Sequence, residues 1–131
     1  MPISVLQSKK NKGKILCVDD DSDTREMLTV LLGLEGYEVM ATGSIAEGIR
    51  LVRKHFFDLI LLDWVLRDGT GVELCQAVRS MEVTAPVLFY SGKTITNELL
   101  DEAMRAGAQG FLSKPIDVNT LLQKVSDVLG Q

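Results

Sequence analysis

Apolar residues fall in two rhythms along the chain. Short unbroken runs, Ile15-Leu16-Cys17-Val18, Leu59-Ile60-Leu61-Leu62 and Val87-Leu88-Phe89-Tyr90, have the length and content of strands buried on both faces. Tyr37 to Ala41 and Gly110 to Ser113 are two further strand candidates. Elsewhere apolar positions recur at helical spacing: Met27, Leu28, Val30, Leu31 and Leu34, then Ala46, Ile49 and Val52, then Val72, Cys75 and Val78. Leu99, Leu100, Ala103 and Met104 mark a fourth helix, and Leu121, Leu122, Val125 and Leu129 a fifth. Asp23 with Glu26, Ser44 with Glu47, and Thr70 with Glu73 have capping-box spacing, and Asp117 can cap the last helix. Gly36 and Gly107 stand where the first and fourth helices should end. Pro86 opens the fourth strand, a position where proline is tolerated. Strand and helix alternate about five times without a low-complexity insert or a self-similar repeat. Alternation of this kind predicts right-handed crossovers and a parallel sheet covered by helices on both faces.

In a parallel sheet all strand carboxyl ends lie on one edge, where open α/β sheets place their chemistry. That edge here collects Asp19 and Asp20 after strand one, Asp63 after strand three, Ser91 at the end of strand four and Lys114 after strand five. Three carboxylates held together repel, which raises their pKa values unless a cation is present. A hard divalent ion relieves this, and Mg²⁺ ordinarily takes one or two carboxylates, waters and a phosphate oxygen. A lysine and a hydroxyl beside it are donors for a phosphoryl group, and an aspartate can itself be the nucleophile, forming an aspartyl phosphate. Each residue also has a plainer reading. An aspartate often ends a strand, Lys114 could be an ordinary surface lysine, and Ser91 could cap a turn. Phe111 and Tyr90 on strands are by default core, and Trp64 either shapes the pocket beside Asp63 or stands exposed as an anchor.

Composition narrows the classes. The 131 residues suit one domain, and a hydrophobic share of 46% supports a proper core. No apolar run approaches the ~18 residues of a membrane span, and the apolar patch Ile3, Val5, Leu6 is too short for a signal-peptide core. A cytoplasmic protein without membrane contact is expected. Cys17 and Cys75 fit no metal spacing and read as packing residues. His55 is the only histidine and follows Arg53 and Lys54 near a predicted helix end, where a cation suits the dipole better than a ligand role would. The net charge of −4 is uneven: the first fourteen residues hold Lys9, Lys10, Lys12 and Lys14 and no acid, leaving ten basic against eighteen acidic residues beyond them. Residues 1–13 are therefore read as a basic, flexible tail and 14–131 as the folded domain. So acidic a domain is a poor phosphate-backbone binder, which argues against direct nucleic-acid contact.

With these residues in place the chain resembles a receiver domain of the two-component response regulators. The resemblance runs from Lys14 to Leu129. It is carried by Asp19-Asp20, Asp63, Ser91 and Lys114-Pro115 at successive strand ends and by the loop Leu66-Arg67-Asp68-Gly69-Thr70-Gly71. Arg67 departs from the proline many members have there. The resemblance implies a flavodoxin-like (βα)5 sandwich with strand order 2-1-3-4-5. It implies that Asp63 accepts a phosphoryl group from a sensor histidine kinase or phosphotransfer protein. Mg²⁺ would be bound by Asp20, Asp63 and the Val65 carbonyl, with Asp19 acting through water. Lys114 would pair with the phosphoryl oxygens and Ser91 would donate to them. Phe111 would be the coupled aromatic of the switch, the Lys114–Pro115 bond would be cis, and the readout would lie on helix 4, strand 5 and helix 5. Val65 and Lys93 would flank the water that later hydrolyses the aspartyl phosphate. A homodimer formed on phosphorylation has room in this scheme. The chain is expected to be a phosphoacceptor, not an enzyme acting on another substrate. Three rivals stand beside it. An aspartyl-nucleophile phosphatase would want an acid where Val65 stands. A constitutive interaction module would not need Asp20, Asp63, Ser91 and Lys114 together. A flavin-binding protein would need a hydroxyl-rich loop where Val18-Asp19-Asp20-Asp21 stands.

Overall fold

The computed structural model describes residues 11–92 and 96–131. Its central sheet has five strands: β1 (Lys14–Val18), β2 (Glu38–Thr42), β3 (Leu59–Asp63), β4 (Val87–Ser91) and β5 (Gly110–Ser113). The helices α1 (Ser22–Leu34), α2 (Ile45–Lys54), α3 (Gly71–Ser80), α4 (Asn97–Ala106) and α5 (Val118–Val128) connect and follow them. All sheet pairings are parallel, in the order β2-β1-β3-β4-β5. The expected flavodoxin-like topology is therefore the observed one. A short antiparallel hairpin, Val65–Leu66 against Gly69–Thr70, joins β3 to α3.

Strand alternation builds two cores. Leu16, Val18, Ile60, Leu62, Val87 and Phe89 face one side and pack with residues of α2, α3 and α4. Ile15, Cys17, Leu59, Leu61, Leu88 and Tyr90 face the other and pack under Leu28 and Leu32 of α1 and Leu121 and Val125 of α5. Every residue of β3 and β4 is buried, which is why both read as unbroken apolar runs. Cys17 and Cys75 are free and buried within these cores, and burial pushes the Cys17 thiol up to about 12. His55 caps the end of α2 and accepts from the Lys14 ammonium at 3.3 Å through Nδ1.

Several helix faces differ from the sequence expectation. Met27, Val30 and Leu34 of α1 are exposed, because the helix seats only a narrow stripe centred on Leu28 and Leu32. Met104 and Ala46 also face outward; Ala106 packs in α4, and Ile45 and Gly48 in α2. In each case the apolar arc is wider than the face the sheet can cover. The cap of α1 is Asp21, not Asp23: its carboxylate accepts from the Thr24 amide at 3.3 Å and the Thr24 hydroxyl at 2.6 Å. The caps Ser44, Thr70 and Asp117 are as expected, and Gly107 ends α4 with a φ of 100°. The chain is tied down just ahead of β1, where the Lys12 amide donates to the Gly36 carbonyl at 2.9 Å. No helix among the described residues is long and apolar enough to cross a membrane.

Two features of the β3–α3 connection position the sheet edge. A Cβ at Gly71 would lie 2.2 Å from the Asp63 carbonyl oxygen, so only glycine lets α3 start directly beneath Asp63. Asp68, in the hairpin turn, accepts from the Ile45 amide at 3.0 Å and the Ala46 amide at 3.3 Å, giving α2 a second cap beside Ser44. The Ile45 bond is the main reason the Asp68 carboxyl sits below its ordinary value of 3.8. A carboxyl lowered by folding contributes stability that is complete above its unfolded value and is lost as pH falls through its folded one. Asp68→Ala should therefore lower the melting temperature at pH 7. The gap from wild type should narrow steadily as pH is taken below about 3.8 in melts followed by circular dichroism. A gap that is constant with pH would mean the carboxylate does not cap α2.

Candidate functional site

Four strand ends deliver the site. Asp19 follows β1 and is fully buried. Its Oδ1 accepts from the Asp21 amide at 2.8 Å, and its Oδ2 accepts from the Tyr90 hydroxyl at 2.7 Å. Asp20 beside it is half-buried, with the Arg67 Nε at 3.9 Å. Asp63 ends β3 and is buried; its Oδ2 accepts from the Lys114 ammonium at 3.1 Å. The same ammonium lies 3.4 Å from Asp19 Oδ2 and 4.8 Å from the centre of the Tyr90 ring. Oxygens of Asp19, Asp20 and Asp63 all lie within 4.8 Å of one another. Ser91 is buried at the end of β4, and its carbonyl accepts from the Lys114 amide at 2.8 Å. The Lys114–Pro115 bond is cis.

Charge and burial pull in opposite directions here. Burial pushes the Asp63 carboxyl up; the Lys114 hydrogen bond opposes this, and the Asp19 charge adds to it, for a net rise. Burial alone would lower the Lys114 value, but its bond to Asp63 and the charges of Asp19 and Asp63 outweigh burial, so the ammonium is held more firmly. The two shifts do not mirror each other, since Lys114 answers to two carboxylates and Asp63 must share one cation. Lys114 stays charged.

The donor set fits a hard divalent cation: oxygen ligands only, three carboxylates, one lysine to balance them. Asp19 has both oxygens engaged by protein donors, whereas the contact described for Asp20 is the long one to Arg67. Aromatic side chains lie behind Asp63. Trp64 is 4% exposed, so it lines the core and is not a surface anchor. Its ring meets Phe89 at 4.9 Å and the half-buried Phe111 at 5.4 Å. Val65 lends its amide to Asp63 and leaves its side chain half exposed at the mouth of the site. Lys93 lies outside the described residues.

Asp19, Asp20, Asp63, Ser91 and Lys114 thus come to one edge, as the strand pattern implied, while Phe111 lies within β5 opposite Phe89, in the aromatic cluster. Three contributors are not legible from spacing. Tyr90 reads as packing, yet its hydroxyl reaches Asp19. Arg25 of α1 donates to the Asp19 carbonyl at 2.8 Å and braces the acidic turn from behind. Asp68 anchors the loop after Asp63 to α2. The only sequence signal for Tyr90 is a polar tip in an otherwise apolar run.

Comparison with known proteins agrees with the geometry. The family model of the response regulator receiver domain matches residues 15–126. The response regulator protein PilR of Pseudomonas aeruginosa is 32% identical over 119 residues, covering 91% of this chain and 26% of that protein. The nisin biosynthesis regulatory protein NisR of Lactococcus lactis is 30% identical over 112 residues, covering 86% of this chain and 48% of that protein. The chain therefore spans about a quarter to a half of the length of these curated relatives. Among solved structures, the chemotaxis protein CheY4 of Vibrio cholerae is 33% identical with a TM-score of 0.84, covering 88% of this chain and 97% of that one. A two-component response regulator from Clostridium difficile is 28% identical with a TM-score of 0.85, covering 90% and 96%. With the matched segment taking in every strand-end residue of the site, the chain belongs to the response regulator receiver domains of two-component systems.

Proposed function

We propose that this receiver accepts a phosphoryl group on Asp63 from the phosphohistidine of a sensor kinase or phosphotransfer protein, in a Mg²⁺-dependent reaction. The observation that carries this is the Lys114 ammonium held between Asp63 and Asp19, beside a third carboxylate. An Asp63 oxygen forms the new O–P bond while the donor's N–P bond breaks, and that bond's electron pair leaves with the imidazole. Transfer of this kind asks the protein for positioning and charge compensation more than for covalent chemistry. Lys114 is placed to receive the phosphoryl oxygens, and Ser91 supplies a hydroxyl on the neighbouring strand. Asp20, Asp63 and the Val65 carbonyl would hold Mg²⁺, with Asp19 acting through water. When bound, the ion offsets negative charge that gathers on the phosphoryl oxygens. The chain then serves as phosphoacceptor and is its own only substrate.

The modified Asp63 favours a second conformation through contacts made only in that state. Ser91 turning to the phosphoryl group and Phe111 turning further inward would change the face made by α4, β5 and α5. The partner that reads this face, and any dimer formed through it, belong to the same proposal. The phosphatase reading is weaker, since the half-exposed Val65 offers neither acid nor base at the mouth of the site.

Three outcomes test the proposal. Incubated with a small acyl phosphate and Mg²⁺, the purified chain should gain one phosphoryl group by intact-mass measurement. Asp63→Asn should gain none, and an unchanged adduct there would identify a different nucleophile. Asp20→Asn should melt about 2 °C higher than wild type without metal, since it removes one like charge from the cluster, under about 1 kcal/mol at this chain length. It should also lose most of the stabilisation that Mg²⁺ gives wild type by binding the native state. A lower metal-free melting temperature would refute the repulsion argument. Finally, Val65 cannot hydrogen-bond a water, so the phosphorylated chain should lose its phosphoryl group slowly. Val65→Asn should speed the decay by about five- to thirtyfold, a barrier change of about 1–2 kcal/mol. An equal or slower decay would remove Val65 from control of that water.

A further inference from the structure

Tyr90 stands one residue before the carboxyl end of β4, where the α1–α5 core meets the polar edge, on the face it shares with Leu61, Leu88 and Leu112. It is fully buried. Leucine or phenylalanine would fill that place as well, and a buried hydroxyl costs desolvation unless it is bonded. Its partner is Asp19 Oδ2 at 2.7 Å. The reach is long: β4 and β1 are separated by β3, so the bond spans two strand spacings, ~10 Å of sheet. The ring meanwhile lies beneath the Lys114 ammonium at 4.8 Å, a cation–π distance. One side chain therefore bonds Asp19 and lies under the Lys114 ammonium, with Asp63 its register partner on the neighbouring strand. Burial and the Asp19 charge push the phenol far up its scale, so it remains a donor at any working pH.

Resting on the reading of the site given above, we propose that Tyr90 is a positioning residue for the phosphoacceptor site: its hydroxyl holds Asp19 and weakens the site's pull on a divalent cation, and its ring seats Lys114. The reasoning is electrostatic. Asp19 is fully buried within a cluster of three acids, and a hydrogen bond to one of its oxygens satisfies part of the charge that would otherwise draw a metal ion. Removing the donor leaves that charge less compensated, and a cation then gains more by binding. The ring acts separately, because the cation–π contact survives loss of the hydroxyl.

Two substitutions separate these parts. Tyr90→Phe keeps the ring and loses the donor, while Tyr90→Leu loses both. Mg²⁺ alone is titrated onto the purified full chain, followed by emission of its single tryptophan, Trp64, and by thermal melts; phosphorylation by an acyl phosphate is then timed at saturating Mg²⁺. Tyr90→Phe should bind Mg²⁺ about three- to tenfold more tightly, part of the effect of a full hydrogen bond to a charge. Its saturating rate should stay within about twofold of wild type. Tyr90→Leu should show the same tighter binding but a saturating rate about tenfold lower, since Lys114 loses its seat. A residue that merely filled the core would alter melting temperature in both variants and leave Mg²⁺ affinity alone. Unchanged or weaker Mg²⁺ binding by Tyr90→Phe overturns the role of the hydroxyl, and equal saturating rates in the two variants overturn that of the ring. If wild type itself fails to bind Mg²⁺, the proposed function falls together with this inference. If wild type binds Mg²⁺ and is phosphorylated while Tyr90→Phe titrates like it, only this inference falls.

Discussion

The Lys114 ammonium is the point on which the polar end of the molecule depends. It lies 3.1 Å from Asp63 and 3.4 Å from Asp19, with the Tyr90 ring beneath it. Three acids close together on a largely buried sheet edge are unfavourable in isolation, because burial and mutual repulsion both act against ionisation. One lysine just past β5 answers two of them, a hydroxyl from β4 answers one of those again, and Arg67 stands at a distance from the third. The compensation is unequal: Asp19 is the best satisfied acid and Asp20 the least. Such an edge is stable without being neutral, which leaves it able to gain from an added cation.

The scaffold explains how four chain segments far apart in sequence reach one point. Parallel pairing aligns every strand's carboxyl end, and the fully buried β3 and β4 allow little movement of Asp63 and Ser91. Beneath Asp63 the backbone of α3 approaches so closely that residue 71 has no room for a Cβ. The loop after Asp63 is short, folded into a two-rung hairpin and fastened to α2 through Asp68. Close packing is therefore concentrated around Asp63, while β5 supplies a half-buried Phe111 and an exposed Ser113 at its end.

Much of this was legible in the sequence, for physical reasons that also mark where legibility stopped. Strands buried on both faces must be apolar throughout, so β1, β3 and β4 announce themselves, and the residue after each run is placed by topology alone. Asp19, Asp63 and Ser91 follow directly, and Lys114 follows from the shorter β5 candidate. Helix faces were less legible. Met27, Val30 and Leu34 share the apolar character of Leu28 and Leu32 but lie outside the contact stripe, and periodicity cannot tell a wide apolar arc from a wide buried one. Asp19 and Asp20 enter the cluster as read, yet the cap of α1 falls on Asp21 and not on Asp23, since capping-box spacing alone does not fix where a helix starts. Contacts that cross the sheet were least legible. Tyr90 to Asp19 and Asp68 to α2 join residues 71 and 23 positions apart, with no spacing rule to link them.

Strand parity adds a constraint on how the site can communicate with the rest of the domain. Asp19, Asp63 and Tyr90 fall on the side of the sheet covered by α1 and α5. Trp64, Phe89 and Phe111 fall on the opposite side, with α2, α3 and α4. A sheet of buried strands separates the charge cluster from the aromatic cluster, so neither can act on the other by direct contact through its middle. The two meet only at the edge. There Ser91 shares the parity of Phe89, and its carbonyl is bonded to the amide of Lys114. Lys114 carries its charge toward one side while its backbone continues the strand that holds Phe111. Two backbone routes therefore join the clusters at this edge: Asp63, which meets the ammonium, is followed directly by Trp64, and the Lys114 amide is bonded to the Ser91 carbonyl on the strand that holds Phe89.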